Sequence, residues 1–264
     1  MDCDVIIVGA GAAGCVLAAR LSEDPDRRVL LVEAGPDYPT LADLPPEIAS
    51  ASAPVVSHDW GYVSEPDGRG RSLPLPRARL VGGCAATNAA FALRGSPADY
   101  DRWQELGNRG SSFSDVLPVF RRLESDRDFA DEWHGSDGPL RRVWTEASTP
   151  LQLAFLEAAA AAGHATAPDH NRPWAVGAGP GPRNVGDGGV RISTALAYLA
   201  PARRRRNLSV LPQALVDRVV VRREERPTPF VVGRRSGLSN GDTSVNRAMW
   251  IRIRSSGDHA SAVR

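Results

Sequence analysis

Asp4-Val5-Ile6-Ile7-Val8, Gly9-Ala10-Gly11-Ala12-Ala13-Gly14, an alanine-rich run to Ser22, and then Val29-Leu30-Leu31-Val32-Glu33 is the stretch that decides the fold. It reads as an apolar β-branched strand, a Gly-x-Gly-x-x-Gly turn, a helix, a second apolar strand and a terminal acid. Gly9 permits the tight turn, Gly11 lets backbone approach a pyrophosphate, and Gly14 lets the helix pack closely on the sheet. The free N–H groups and the dipole at the helix N-terminus favour an anion there. Glu33 lies 19 residues after Gly14, at the end of the second strand. A carboxylate in that place accepts both hydroxyls of an adenosine ribose and repels a 2′-phosphate. The context predicts a dinucleotide-binding α/β domain. The motif alone does not separate FAD from NAD.

Working outward, composition excludes more than it identifies. A net charge of +1 over 264 residues gives no push toward nucleic acid or an anionic membrane. All 32 basic residues are arginine, which reads as genomic base composition and excludes lysine chemistry. Cys3, Cys15 and Cys84 fit neither a zinc site nor a Cys-x-x-Cys pair. Inert thiols in a reducing, cytoplasmic setting are expected. The start of the chain does not read as a signal peptide, and no apolar run approaches the ~20 residues of a membrane span.

Eight prolines between Pro36 and Pro76 predict a long covering loop with short regular pieces, one of them a strand within His58–Pro66. Next comes Arg77-Ala78-Arg79-Leu80-Val81-Gly82-Gly83-Cys84-Ala85-Ala86-Thr87-Asn88-Ala89-Ala90-Phe91-Ala92-Leu93-Arg94-Gly95. Its paired glycines allow backbone N–H groups to point into a concavity. The small residues after them let a flat ring lie against main chain.

This stretch resembles the first signature of the glucose-methanol-choline (GMC) flavin oxidoreductases. Ala78, Arg79, Val81, Gly82, Gly83, Asn88, Ala92, Gly95 and Asp101 match it, while Cys84, Ala85 and Thr87 depart from it. Asp59-Trp60-Gly61-Tyr62, Phe113-Ser114-Asp115-Val116-Leu117-Pro118, Trp133-His134-Gly135 and Arg191-Ile192-Ser193 are similar to further family pieces. Asp128 to Gly135 and Asp169-His170-Asn171-Arg172-Pro173 place the likeness nearest the mycofactocin-associated members.

The resemblance implies FAD as cofactor and an α/β Rossmann-like FAD-binding domain. That domain is expected from residues 1–100 and 181–225, with a helix- and loop-rich cap at 101–180. It implies cofactor contacts at Gly9, Gly11, Ala13, Gly14, Glu33, Ala34, Leu80, Gly82, Gly83, Asn88, Ala89, Ala90, Phe91 and Val216. Val216 would pair with the adenine edge through its backbone. The activity implied is oxidation of the CH–OH group of a small alcohol, with a separate electron acceptor.

Amphipathic helices are expected after Ser112 and after Thr149, the second carrying Leu151, Phe155, Ala158 and Ala162 on one face. Their bland reading is core packing. His134, His164 and His170 have no metal-ligand spacing, and no metal site is expected. Arg203–Arg206 reads as a solvated run.

After Arg223 the likeness is expected to stop. Residues 226–264 hold seven arginines against two aspartates and few apolar residues, and read as a disordered tail with one strand-like piece, Trp250–Arg254. The family's catalytic histidine has no counterpart among these residues, so no catalytic residue is assigned. The sequence thus reads as the N-terminal, FAD-binding portion of a GMC enzyme, truncated and inactive alone. The alternatives are a non-catalytic flavin or nucleotide module, one half of a split enzyme completed by a C-terminal polypeptide, and an NAD-dependent dehydrogenase.

Overall fold

The computed structural model describes residues 3–145, 149–223, 247–254 and 261–263. In chain order the strands are β1 (Val5–Val8), β2 (Val29–Val32), β3 (Glu124–Asp126), β4 (Leu140–Thr145), β5 (Gly181–Arg183), β6 (Leu208–Leu211), β7 (Leu215–Arg223), β8 (Arg247–Arg254) and β9 (Ser261–Val263). The helices are α1 (Ala12–Leu21), α2 (Pro46–Ala49), α3 (Pro97–Glu105), α4 (Phe113–Leu123), α5 (Pro150–Ala161) and α6 (Ala200–Ala202).

The chain divides into two compact units. One holds residues 1–39, 57–84 and 198–264, and the other 40–56 and 85–197. Residues 85–100 lie in the second unit and 198–223 in the first.

In the first unit β1, β2 and β6 form a parallel sheet in the order β1-β2-β6. β2 is flanked on both sides and all four of its residues are buried, as a continuous Val/Leu run requires. α1 follows β1 directly and buries its small face, Gly14, Cys15, Ala18 and Ala19. This is the expected Rossmann-like start. Residues 58–66 are not a strand. Isolated bridges Asp59↔Ala78 and Val63↔Pro74 hold an arm there instead, because the surrounding prolines cannot donate to a ladder. Trp60 stacks on Tyr62 with ring centroids 5.9 Å apart, and Arg79 lies over Trp60.

The Arg203–Arg206 run is not simply solvated. Arg203 pairs with Asp37 at 2.6 Å, and Arg205 donates to the Ala19 carbonyl and to Ser22 Oγ, tying the segment before β6 to α1 and to the end of β2. β7 pairs antiparallel with β8, and β8 with β9. Trp250–Arg254 lies in β8, as expected; β9 was not foreseen from composition. The rest of the 226–264 tail, for which disorder was expected, lies outside the described residues.

In the second unit β3 and β4 run parallel, and β5 pairs antiparallel with β4. Ser112 caps α4, its Oγ accepting the Asp115 N–H at 3.2 Å, and Thr149 caps α5 through the Gln152 N–H at 3.2 Å. α5 departs from expectation. None of its side chains is buried, and Leu151 and Phe155 stand 81% and 65% exposed.

Candidate functional site

The turn between β1 and α1 is built as the motif demands. Gly9 takes φ +91°, and a Cβ on Gly14 would run into the Gly9 carbonyl oxygen. Nothing lies within 4 Å of where a Cβ on Gly11 would sit. Gly11 is also the N-cap of α1. It brings no capping side chain, and no acid stands in the first turn. Ala12 and Ala13 are exposed. The first turn of α1 thus supplies neither a capping side chain nor an acid of its own, as an anion site at a helix N-terminus allows.

The second glycine turn docks on the first. The Gly82 N–H donates to the Ala10 carbonyl at 2.7 Å, and the Val81 N–H to the Pro36 carbonyl at 2.9 Å. A Cβ on Gly83 would sit 2.7 Å from the Gly11 Cα, so only glycine lets the two turns meet. Leu80 is fully buried beneath them.

Glu33 has a role that its spacing did not reveal. Its Oε2 accepts the Ala10 N–H at 2.8 Å and its Oε1 the Gly35 N–H at 2.9 Å, tying the first glycine turn to the bend after β2 while each oxygen keeps a second lone pair. The Ala214 N–H donates to the Glu33 carbonyl at 2.8 Å, which seats Val216 beside Leu30 and Val32. Glu33→Gln is expected to weaken FAD binding and lower the melting temperature, because the amide must turn an NH2 toward one of the two N–H donors. An orphaned buried amide costs about 1–3 kcal/mol. Thermal melts and FAD titration check this; a glutamine variant matching wild type in both would count against the bracing role.

Gly9, Gly11, Ala13, Gly14, Glu33, Ala34, Leu80, Gly82, Gly83 and Val216 thus share the first unit, whereas Asn88, Ala89, Ala90 and Phe91 belong to the second. There Asn88 Oδ1 accepts the Ala90 N–H at 2.8 Å and holds Ala90 at φ +58°. Two arginines to which the sequence assigned no role hold this stretch by its carbonyls. Arg183 donates to Ala51 and Ala89, and the fully buried Arg191 donates to Ala86, Ser50 and Ala53. Burial and the neighbouring Arg183 hold the Arg191 guanidinium below its ordinary pKa.

The family model "GMC oxidoreductase" matches residues 3–239. The chain belongs to the GMC oxidoreductase family. The match runs past Arg223, where the likeness was expected to stop. An uncharacterized GMC-type oxidoreductase of Rhodococcus erythropolis is 40% identical over 224 residues, covering 82% of this chain and 44% of that protein. An oxygen-dependent choline dehydrogenase of Brucella melitensis is 38% identical over 216 residues, covering 80% and 39%. Among solved structures, pyridoxine 4-oxidase from Mesorbium loti superposes with a TM-score of 0.80 at 33% identity, covering 99% of this chain and 48% of that one. The chain spans about two fifths of the length of the curated relatives. FAD is the cofactor of the family, and the open Gly11 cradle, uncapped helix and second glycine turn fit its pyrophosphate.

This GMC chain also carries a buried charge cluster that sequence spacing did not disclose. His134 Nε2 meets Asp169 Oδ2 at 2.9 Å, and its Nδ1 lies 3.1 Å from Asp126 Oδ2 and 3.2 Å from Glu124 Oε1. Arg94 reaches Glu124 Oε1 at 2.6 Å, and Arg142 pairs with Glu124 Oε2. Trp144 Nε1 donates to Asp126 at 3.0 Å. Burial disfavours the imidazolium, but hydrogen bonds to Asp126, Asp169 and Glu124 outweigh it and raise the His134 pKa to about 11. Burial likewise opposes the Asp126 carboxylate, yet its bonds from His134, Trp144 and the Asp128 and Phe129 amides bring it to about 2.

Glu124, Asp126 and His134 offer ligand atoms within 4.8 Å of one another. Arg94, Arg142 and the imidazolium already balance the three carboxylates, so a divalent ion would meet fixed positive charge. Asn171 links the cluster to the chain after Phe91, its Oδ1 accepting the Arg94 N–H at 2.9 Å and its Nδ2 donating to the Ala92 carbonyl at 3.1 Å.

The pH dependence follows with its sign. His134 is raised above its ordinary 6.5, so its stabilisation is complete below pH 6.5 and is lost as pH climbs through about 11. Asp126 is depressed below 3.8, so its stabilisation is complete above that pH and is lost as pH falls through about 2. Melting temperatures from pH 3 to 11, taken as the difference between wild type and a His134 variant, are expected to be flat from about pH 4 to 6.5 and to shrink toward alkaline pH. A difference that grows with pH would contradict the assignment.

Proposed function

We propose that this chain is the FAD-binding portion of an oxidoreductase acting on the CH–OH group of a small-molecule alcohol. The observation that carries the reading is the docking of Gly82–Gly83 on the Gly9–Gly14 turn over an uncapped helix N-terminus. Bound FAD supplies a hydride acceptor at flavin N5. The chain's own residues bind and orient it. The α1 amides take the pyrophosphate and Glu33 the ribose hydroxyls.

The hydroxyl proton needs a base with a pKa near the working pH. His134 is held protonated and cannot serve. In our reading the base comes from outside the described residues, in a C-terminal stretch or a complementing polypeptide, and these 264 residues alone turn over no alcohol. The electron acceptor is separate from the alcohol site. The resemblance of Asp128–Gly135 and Asp169–Pro173 to the mycofactocin-associated members supports mycofactocin as that acceptor, and rapid reoxidation of the reduced flavin by air would reverse that preference.

No helix among the described residues is long and apolar enough to cross a membrane, and three cysteines without a disulfide between them fit a cytoplasmic setting. The experiment that tests the reading is reconstitution with FAD followed by anaerobic addition of primary alcohols. Flavin retained without bleaching, and bleaching restored by a C-terminal polypeptide of a GMC relative, is the expected result. Folded protein that takes NAD and refuses FAD would overturn it.

A further inference from the structure

α5 presents its apolar stripe to an open cavity instead of a core. Leu151, Phe155 and Leu156 face Phe91 and Leu93 across about 750 Å³. That volume is in the range of small-molecule pockets, roughly 300–1,000 Å³. A helical stripe of this kind ordinarily buries itself against its own domain. Phe91 is 56% exposed and is held in place from behind. A Cβ on Gly181 would sit 2.6 Å from Phe91 Cε1, so glycine is needed where the ring lies. On Phe91 the Arg183 guanidinium carbon lies 5.6 Å from the ring centroid, and that guanidinium is itself fixed by the Ala51 and Ala89 carbonyls. The polar residues of the lining are Gln152, His170 and Arg183, and no carboxylate lines the cavity among the described residues.

We propose that this cavity takes the carbon skeleton of the alcohol and selects neutral apolar alcohols, aryl or alkyl, against ammonium alcohols. The inference rests on the alcohol-oxidoreductase reading above and names its substrate class. A quaternary ammonium is recognised by aromatic faces that are open to it and by negative charge nearby. Here the Phe91 ring already carries a cation, which leaves Phe155 as the other aromatic wall, and the fixed charge among the described lining residues is positive. A neutral ring or chain pays no such electrostatic penalty and gains from the leucine and phenylalanine walls. The cavity residues also continue directly from Asn88–Ala90, the stretch assigned to the flavin, through Phe91 to Leu93.

The test is ligand-observed saturation-transfer NMR on the whole 264-residue chain, with benzyl alcohol, 1-hexanol and choline as probes. Transfer to the benzyl and hexyl protons and none to the choline methyls is expected. Leu151→Asp and Phe155→Asp should each cut the benzyl alcohol signal severalfold. Both positions are exposed, so the melting curve should not move. Choline binding as well as benzyl alcohol, no binding of any probe, or transfer indifferent to both substitutions would overturn the proposal. FAD retention, read separately by absorbance, keeps the two claims apart. Loss of flavin with alcohol binding intact sinks the flavoenzyme reading, and flavin retained with an empty cavity sinks this inference alone.

Discussion

Replacing His134 by asparagine is expected to remove about 3–5 kcal/mol of folding stability, the cost of breaking a buried ion pair while its partners stay charged. The imidazolium stands between Asp126 and Asp169, 2.9–3.2 Å from three carboxylate oxygens. Without it, Glu124 keeps Arg94 and Arg142, but Asp126 and Asp169 face each other across a neutral side chain. Both N–H donors of asparagine sit on one nitrogen, so it cannot serve carboxylates on two sides as the imidazolium does, and it brings no charge. A loss of that size is a large share of the roughly 5–15 kcal/mol that separates folded from unfolded domains. For a chain of this length it corresponds to a melting shift on the order of 10 °C. Because Asn171 joins the cluster to Ala92 and Arg94, any flavin contact made by Asn88–Phe91 should loosen as well. Thermal melts at pH 6 decide the matter: an unchanged midpoint would mean the cluster contributes nothing net.

Gly14→Ala and Gly11→Ala are expected to fail in different ways. At Gly14 the new methyl meets the Gly9 carbonyl oxygen, which is backbone and cannot swing aside. Forcing a methyl into a packed site costs typically about 1–3 kcal/mol, and here the only relief is to open the turn. Both stability and FAD binding should fall. At Gly11 the methyl meets none of the described residues but, in the proposed site, would occupy the space the pyrophosphate approaches. Apoprotein stability should hold while FAD affinity drops roughly tenfold or more, about 1.4 kcal/mol. Paired melts and FAD fluorescence titrations separate these outcomes. A Gly11 variant binding FAD as tightly as wild type would remove the pyrophosphate from this turn.

The contrast between these two regions explains what was legible beforehand. The β1–α1–β2 unit was readable because its signals are local: apolar runs fix strands, and glycines at set spacing fix the turn between them. The meeting of Gly82–Gly83 with Gly11 was foreseeable only through the family likeness, since no spacing rule links residues so far apart. The charge cluster was hidden for the same reason. Glu124, Asp126, His134 and Asp169 come from a short strand and two loops, and each alone looks like an ordinary surface residue. Its one local hint was a pair of acids at i and i+2 on a strand, which places both side chains on one face. α5 was read correctly as a helix, but its stripe was assigned to a core because periodicity reports amphipathicity and not what covers the apolar face.

The most direct measurement is the visible absorption spectrum of the purified chain after refolding with FAD and gel filtration, beside Gly11→Ala treated identically. Flavin bands that co-elute with wild type and are lost from the variant are predicted. A folded, cooperatively melting wild-type chain that elutes colourless would contradict the claim that these two glycine turns make an FAD site.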